Sequence, residues 1–499
     1  MNSRPVAQKK TDKGLFGILE PLEAWTAILG LIFMIILFLI AVPQLLVPLF
    51  PLASLLVAIF LYSRYPVLYV GFSWWMWFLA PFVRRLIDYR CSAVTFSSYH
   101  LTSMLVASVC GVTVYKKLLN SYRTGGIPFI LCFGSVFYAF VVAFVRQTNL
   151  DFGQIITNAM GWFAPMMLGF YVYTQWREYP AFRDNFQKVF LWFVIVTGSY
   201  GVFQFVVAPE WDRFALIQAM GGMVNASWTG VPEPFGIRVW STMSNPFTFA
   251  LNMMPGLILL FISKSKLRYL ATGVGYLSFL LSKSRTGWYS YLISLFIFFF
   301  SIKSKFQIRL FVTVASILLI VLPLATVEPF SGAISDRMQM VTGEIEDDHS
   351  YRVRMEQFNE GIDHALQEYL GWGLMGIQGI PTGFDLTGQI KSVTSGLDNG
   401  YLVVVVSLGW LGLIPYATGL GMMLYRLFSA PPSQLDLVAV AARATIVGSI
   451  IRMITTNITT GEFATPIWGC LGIAMAAQKY YSTKEKVAKI ASHSSTSYN

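Results

Sequence analysis

The sequence predicts an all-α integral membrane protein with about 12–14 transmembrane helices. Of its 499 residues, 55% are hydrophobic and only 12% are charged, whereas soluble chains carry about 25% charged residues. The apolar stretches are too long and too numerous for a signal peptide followed by a soluble domain. They are also continuous, which indicates helices, because the strands of a membrane barrel alternate apolar and polar residues.

Windows of about 20 residues delimit about fourteen candidate spans. Pro43 lies between the first two, which could form one broken hairpin, so twelve or thirteen spans remain open. The candidate spans are 24–42, 44–62, 66–83, 98–117, 127–145, 155–174, 188–208, 246–263, 268–282, 287–302, 307–325, 400–426, 437–456 and 463–479. The chain then divides into an N-terminal transmembrane bundle (1–325), a large loop (326–399), C-terminal transmembrane helices (400–480) and a tail (481–499).

Lysine and arginine in the connecting segments predict the orientation of the chain. If the N-terminus is inside, every inner segment carries a cation, as the positive-inside rule requires. These segments are 4–13, the Arg64 loop, 116–123, 177–188, 264–268, 303–309, the Arg426 loop and 479–489. Both termini are therefore expected in the cytoplasm and the large loop outside. The net charge of +11 reflects this inner bias and attraction to anionic lipid, so it requires no nucleic-acid partner.

Several cations nevertheless fall on the predicted outer side, where they are usually sparse. Gathered together, they would form an anion site at the outer surface. They are Arg84, Arg85, Arg90, Arg146, Arg213, Arg238, Lys283, Arg285, Arg337, Arg352, Arg354 and Lys391.

A polar tetrad separates the two apolar runs within 276–300. Lys283, Ser284, Arg285 and Thr286 are predicted to cap a tight helical hairpin at one face of the membrane. A cation beside a membrane segment costs on the order of a few kcal/mol unless it faces protein, water or an anion. Arginine offers a planar fork of donors that suits a phosphate-bearing ligand. A snorkelling interface anchor is the alternative interpretation.

The outer segment 210–250 contains Arg238 and a predicted helix start. Asn245 precedes Pro246, and a cap followed by proline is typical of a first helical turn. A helix start of this kind aims free N–H groups at an anion. An ordinary capping role is the alternative for Asn245.

The loop 326–399 is too long for a simple connection, which indicates a functional or separately folded element. Segment 351–373 within it has helical spacing, with Arg352 and Arg354 at its N-terminal end. A cation is unfavourable there because of the helix dipole, so an anionic partner is expected. The predicted apolar face and the terminating glycines are Met355, Phe358, Ile362, Leu366, Tyr369, Gly371 and Gly373.

The loop ends on Asp398 and Asn399, immediately before an apolar run that begins near Tyr401. Asp398 would either cap this helix or act as a base in a cavity lined by the arginines. The acidic residues within 344–348 fit a solvated loop edge better than a metal site. Neither a metal nor another cofactor is expected.

Four motifs occur in an order that resembles the bacterial O-antigen ligase and polysaccharide polymerase family. They are Arg238 with SNPFTFA (244–250), SKSRTGW (282–288), Arg352 and Arg354 with GWGLMG (371–376), and DNGYLVVVVSLGWLGL (398–413). The resemblance implies a GT-C-like glycosyltransferase fold with one large periplasmic loop. It departs at Asp398, because ligases of this family usually carry a histidine there. This departure favours a polymerase over a ligase acting on lipid A core.

The resemblance implies a metal-independent glycosyltransferase of the bacterial inner membrane, with its active site on the periplasmic side. The donor would be a glycan on a polyprenyl diphosphate such as undecaprenyl diphosphate, and the acceptor a hydroxyl of another glycan. The implied outcome is polymerisation of a surface polysaccharide, either O-antigen or exopolysaccharide. The implied protein partners are a chain-length regulator, a flippase or both.

The resemblance also implies roles for particular residues. The family's two arginines correspond to Arg238 and Arg285, which would stabilise charge on the departing diphosphate. Asp398 would accept the proton of the attacking hydroxyl. The expected substrate-binding residues are Lys283, Ser284, Thr286, Arg352, Arg354, Asn399, Tyr401 and Asn245.

Two other classes of protein remain as alternatives. A transporter or flippase for lipid-linked sugars would also have twelve to fourteen helices, but typically has repeat-related halves and a charged site near the midplane. Here the candidate cations lie at the outer face, and one long loop breaks any symmetry between halves. A non-catalytic membrane assembly partner is the second alternative.

Overall fold

The computed structural model describes residues 21–92, 101–146, 152–219, 229–304 and 399–496, with short stretches between 307 and 392. Within these ranges the chain is overwhelmingly helical, which confirms the predicted all-α membrane class. Seven helical segments are long and apolar enough to cross a membrane: Leu22–Ala41, Pro43–Arg64, Pro66–Cys91, Ile127–Arg146, Phe152–Thr174, Trp176–Val207 and Gly400–Ser429. The total of twelve to fourteen spans stays a prediction, because much of 305–398 lies outside the described residues.

Most helices overlap the predicted apolar runs, although one begins nine residues before position 188 and the last continues seventeen residues beyond position 479. In chain order they are α1 (Leu22–Ala41), α2 (Leu46–Arg64), α3 (Pro66–Cys91), α4 (Leu101–Ser108), α5 (Gly111–Lys117), α6 (Ile127–Arg146), α7 (Phe152–Thr174), α8 (Tyr179–Val207), α9 (Glu210–Ala219), α10 (Pro246–Leu260), α11 (Arg268–Leu281), α12 (Arg285–Ser301), α13 (Gly400–Ser429), α14 (Leu437–Arg452) and α15 (Gly461–Thr496). The predicted span 98–117 is divided into α4 and α5. The predicted break near Pro43 is a short 3₁₀ turn, Pro43–Leu45.

Helix α10 lies at the centre of the C-terminal half of the bundle. It packs against α8, α11, α12, α14 and α15, and nearly all of its side chains are buried. Lipid could cover an apolar helix as well, but the burial of α10 shows that protein surrounds it. The N-terminus of α10 is therefore surrounded by the ends of several other helices, and the candidate site lies there.

Small residues allow the neighbouring helices to approach closely. A Cβ added at Gly448 of α14 would lie 1.9 Å from Ser294 Oγ of α12, and one at Gly472 of α15 would lie 2.5 Å from the Gly169 carbonyl oxygen of α7. Such contacts are typical of membrane helices, whose packing depends on close backbone approach. They fix α12 against α14 and α7 against α15.

Helix α13 is broken at Gly409, where φ is 59° and ψ is 177°. Gly371, with φ of 79°, lies against this break: a Cβ at Gly409 would come within 2.2 Å of the Gly371 nitrogen. Trp372 N donates to Val406 O at 2.8 Å, and Gly373 N donates to Ser407 O at 3.1 Å. Segment 369–374 of the large loop thus packs against α13, and its N–H groups bind helix carbonyls that the break leaves without a partner in α13.

Only parts of the large loop belong to the described residues. Strands β1 (Pro381–Phe384) and β2 (Ile390–Ser392) form an antiparallel hairpin, which the sequence did not predict. Of the predicted apolar face within 351–373, Ile362 packs against a cluster on α13, whereas Leu366 and Tyr369 are exposed. The residues from 368 to 374 are not helical, so the predicted helical position of Tyr369 is wrong, and the helix does not extend to Gly371.

The predicted orientation can be tested with single cysteines. We expect a cysteine at Ser350 to react with a membrane-impermeant maleimide in spheroplasts, because the cation bias places the large loop outside. A cysteine at Lys489, in the predicted cytoplasmic tail (481–499), should react only after permeabilisation. Cys91 should first be replaced by serine, because the other three native cysteines are buried whereas Cys91 is partly exposed. The opposite labelling pattern would exclude an outer active site.

Candidate active site

Arg238 joins two segments that the sequence analysis singled out separately. Its side chain is buried, and Nη2 donates to the carbonyl oxygen of Lys283 at 3.0 Å. Nε lies 3.4 Å from the carbonyl oxygen of Ser282. The guanidinium carbon also lies 5.4 Å from the centroid of the Phe247 ring, in the first turn of α10. Arg238 therefore holds the turn between α11 and α12 against the N-terminus of α10.

That turn places Arg285 as the first residue of α12. Lys283 has a left-handed backbone, with φ of 50°, a conformation that costs about 1–2 kcal/mol for a residue with a Cβ. Ser284 is buried and caps the helix, its Oγ accepting from Gly287 N at 3.3 Å. The predicted tight hairpin is thus present, and it is stabilised by the cap and by the bonds from Arg238. Thr286 follows in the first turn of α12.

Asn245 is the N-cap of α10. Its side-chain oxygen accepts from Phe247 N at 3.0 Å and from Thr248 N at 2.9 Å. Thr248 Oγ1 in turn accepts from Asn245 N at 3.3 Å, which completes a capping box. The amide oxygen of Asn245 therefore has the capping role that was its alternative interpretation, and contact with substrate stays a prediction.

Asn399 and Tyr401 connect the start of α13 to the end of α14. Asn399 Oδ1 accepts from Tyr401 N at 3.0 Å and from Leu402 N at 3.2 Å, so Asn399 is the N-cap of α13. Tyr401 OH donates to Ile450 O at 2.8 Å, and Gly400 N donates to Met453 O at 2.7 Å. The cap considered for Asp398 in the sequence is thus provided by the next residue.

Two buried ionisable residues at the same end of the bundle were missed in the sequence. Glu462, in the first turn of α15, accepts from Ser244 N at 3.2 Å and from Ser244 Oγ at 2.5 Å. Arg452, the last residue of α14, donates from Nη2 to Phe247 O at 3.0 Å. Both lie inside or beside predicted apolar spans, so the criterion applied to Arg285 would have found them.

A buried ionic network supports the segment that carries Arg238. Asp212 accepts from Arg85 Nη1 at 2.6 Å, from Tyr200 OH at 2.7 Å and from Gln204 Nε2 at 2.9 Å. Arg85 Nη2 also donates to the carbonyl of Ser241. The amide oxygen of Gln204 accepts from Trp240 N at 3.1 Å and from Ser241 N at 2.8 Å. The backbone just after Arg238 is therefore fixed from two sides.

Comparison with known families assigns part of the chain. Residues 269–417 match the family model of the O-antigen ligases. This part of the chain is similar to the O-antigen ligases. The match confirms the resemblance drawn from the motifs and identifies a glycan-joining membrane enzyme of the ligase or polymerase type, which uses lipid-linked glycan and acceptor substrates. Comparison with curated proteins gave no match.

The O-antigen ligase match covers three of the four motifs. It includes the α11–α12 turn, the loop glycines and the start of α13, whereas Arg238 and the capped start of α10 lie before it. The structure links Arg238 to the matched region through the carbonyl of Lys283. Arg352, Arg354 and Asp398 fall outside the described residues, so their roles stay predictions.

Several of the outer cations that the structure describes are paired with carboxylates. Arg84 pairs with Asp88 at 3.1 Å and Arg85 pairs with Asp212. Arg146 pairs with Glu368 and donates to Gly371 O at 2.8 Å. The charges of these arginines are thus compensated by buried or partly buried carboxylates. Arg238 and Arg285 flank the α11–α12 turn instead.

Proposed function

We propose that the protein transfers a polyprenyl-diphosphate-linked glycan to an acceptor hydroxyl at the periplasmic face, and that the product is a polymerised surface polysaccharide. The observation that supports this most directly is the bond from Arg238 to the Lys283 carbonyl. It holds two family arginines, Arg238 and Arg285, on either side of one strained turn. Residues kept in a strained conformation are common at functional sites.

The chemistry requires positive charge at the leaving group. As the acceptor oxygen bonds to the sugar C1, the bond from C1 to the phosphate oxygen breaks and its electron pair stays on the lipid diphosphate. Arg285 would bind the phosphate oxygens with its planar fork. Arg238 would hold the turn that carries Arg285 and would add to the local positive potential. The hydroxyl proton passes to Asp398. No step in this scheme uses a metal.

One residue, Asp398, favours polymerisation over ligation. Ligases of the family usually carry a histidine immediately before the asparagine of the last motif, and this chain has Asp398 followed by Asn399. A carboxylate there still supplies a proton acceptor. The protein would therefore keep the transfer chemistry and differ from the ligases in the acceptor that it receives.

Deleting the gene distinguishes these functions by the lipid-linked glycan that accumulates. Loss of a polymerase should leave single repeat units on the outer face of the membrane. Loss of a ligase should leave long polymer on its lipid carrier. Repeat units that remain on the cytoplasmic face would instead identify a flippase, and that result would contradict glycosyl transfer.

Asp398→Asn tests the proton acceptor. We expect this variant to insert and to bind donor but to lose most transfer activity, because an amide cannot accept the proton. Asparagine caps a helix about as well as aspartate, and Asn399 already occupies the cap of α13. Polymer length on gels and transfer rate with purified protein would measure the effect.

Asp348→Asn is the matched control, because it removes one carboxylate from the acidic run of the same loop. It should retain wild-type transfer. Near-normal polymer from Asp398→Asn would mean that Asp398 is not the proton acceptor, while the roles of the arginines would be unaffected.

A further inference from the structure

Arg452 is a buried cation whose hydrogen bonds are incomplete. Its exposed fraction is 2%, and Nη2 donates to Phe247 O. Nε and Nη1 are also buried, and neither has a hydrogen-bond partner among the residues that the structure describes. A buried charge with unpaired donors is strongly unfavourable, so an anionic ligand would satisfy a real deficit at this position.

The backbone around Arg452 is held firmly in place. The carbonyl of Arg452 accepts from Thr455 N at 3.0 Å and from Thr456 N at 3.1 Å. The next residue, Met453, accepts from Gly400 N at the start of α13. These bonds fix the backbone where the end of α14 meets the start of α13, and the bond from Nη2 to Phe247 O orients the guanidinium toward the start of α10.

Arg452 and Arg238 meet at the same residue. Arg452 binds the carbonyl oxygen of Phe247 at 3.0 Å, and the Arg238 guanidinium lies over the ring of Phe247 at 5.4 Å. The side chain and the carbonyl of one residue are thus each contacted by a different arginine. The capped N-terminus of α10 adds its own favourable potential for negative charge.

We propose that Arg452 is a phosphate-binding residue of the donor site, where it donates from Nε and Nη1 to the diphosphate of the polyprenyl carrier. The proposal rests on the proposed function and adds a third arginine, from outside the matched domain, to Arg238 and Arg285. A diphosphate carries two phosphoryl groups, so it can receive donors from the α11–α12 turn and from α14 at the same time. Hydrogen bonds from a guanidinium to phosphate are charge-assisted, and Nε and Nη1 lie on different edges of the group, so they would reach different oxygens of the diphosphate.

The test measures binding of glycan-free polyprenyl diphosphate to purified protein in phosphatidylcholine nanodiscs, with polyprenyl monophosphate as the comparison ligand. Arg452→Met should weaken diphosphate binding by about ten- to a hundredfold, as expected for lost bonds to a charged group. Arg452→Lys, which keeps the buried charge, should weaken it by about tenfold, because an ammonium lacks the fixed donor directions of a planar guanidinium. Both variants should lose most of the preference for diphosphate over monophosphate.

Arg443→Met is the matched control on the same helix. Arg443 donates to Leu427 O at 3.3 Å and lies over the Phe428 ring at 4.9 Å. The feature that it shares with Arg452 is a single backbone carbonyl partner, and it lies more than two turns from Arg452, nearer the other end of α14. Its variant should bind diphosphate with wild-type affinity.

Unfolding temperatures without ligand provide an independent readout. An apolar side chain of similar size in place of a buried charge is often neutral or stabilising. We therefore expect ligand-free Arg452→Met to unfold at or above the wild-type temperature. Added diphosphate should raise the unfolding temperature of the wild type more than that of the variant. If the methionine variant does not insert, the lysine variant decides by the same affinity measurement.

The outcomes separate this proposal from the function on which it rests. Wild-type protein that does not bind polyprenyl diphosphate would contradict the donor itself. Wild-type binding that is unchanged in the Arg452 variants would overturn the role of Arg452 alone. A third outcome is that the variants keep their diphosphate affinity but no longer bind phosphatidylglycerol in nanodiscs that contain this lipid. The anion at Arg452 would then be a membrane headgroup, and the proposal would be wrong.

Discussion

Replacing Arg285 by alanine should abolish glycan transfer while leaving the protein folded and inserted. Removing a fixed donor from developing negative charge costs about 2–4 kcal/mol of barrier, or about a hundred- to a thousandfold in rate. Arg285 is the first residue of α12, where the helix dipole disfavours a cation. Its removal should therefore not destabilise the helix. Transfer from purified lipid-linked donor would measure the loss.

Arg285→Lys separates a phosphate-binding fork from a simple membrane anchor. We expect it to restore little activity, because lysine supplies a point charge without the two-pronged geometry. Arg268→Ala is the matched control: Arg268 is the first residue of α11, and its Nη1 donates to Ser263 O at 3.0 Å. That variant should stay active. Full activity of Arg285→Lys would favour the anchor and contradict the fork.

Replacing Asp212 by alanine should have the largest effect on stability. Asp212 is completely buried and accepts from Arg85, Tyr200 and Gln204. Its loss would leave the buried guanidinium of Arg85 without its counter-ion, which costs about 3–5 kcal/mol in comparable pairs. Transfer should fall as well, because Arg85 and Gln204 hold the backbone just after Arg238. Thermal unfolding in detergent would measure the first effect.

The exposed pair of Glu23 with Arg64 provides the control for Asp212. Both side chains are 62% exposed, and exposed pairs contribute little to stability, so Glu23→Ala should unfold close to the wild-type temperature. The double variant Arg85→Met with Asp212→Leu should recover much of the stability, because it removes both buried charges. Equal unfolding temperatures for Asp212→Ala and Glu23→Ala would show that the buried network contributes nothing.

Local signals in the sequence were sufficient to predict most of the helices and the α11–α12 turn. The predicted span 246–263 is α10 (Pro246–Leu260), which begins at the predicted asparagine cap and proline. The predicted hairpin around Arg285 is the α11–α12 turn. These features depend on hydropathy and on a few neighbouring residues, so one sequence contains the information for them.

Features that depend on distant residues could not be predicted in this way. Arg85 and Asp212 are 127 positions apart, and nothing in either segment indicates that they pair. The same holds for Arg452, whose partner is a backbone carbonyl of α10. The sequence alone does not distinguish outer cations that pair with carboxylates, such as Arg85, from those beside the α11–α12 turn, such as Arg238.

The break in α13 has a consequence for biogenesis. A span interrupted at Gly409 exposes backbone groups that lipid cannot satisfy, and the bonds from Trp372 and Gly373 satisfy two of its carbonyls. The segment that supplies them precedes α13 in the chain, so during translation it emerges from the ribosome before the helix that needs it. We therefore expect α13 to integrate poorly when expressed without the preceding loop, although its hydropathy alone would place it among the easily inserted segments.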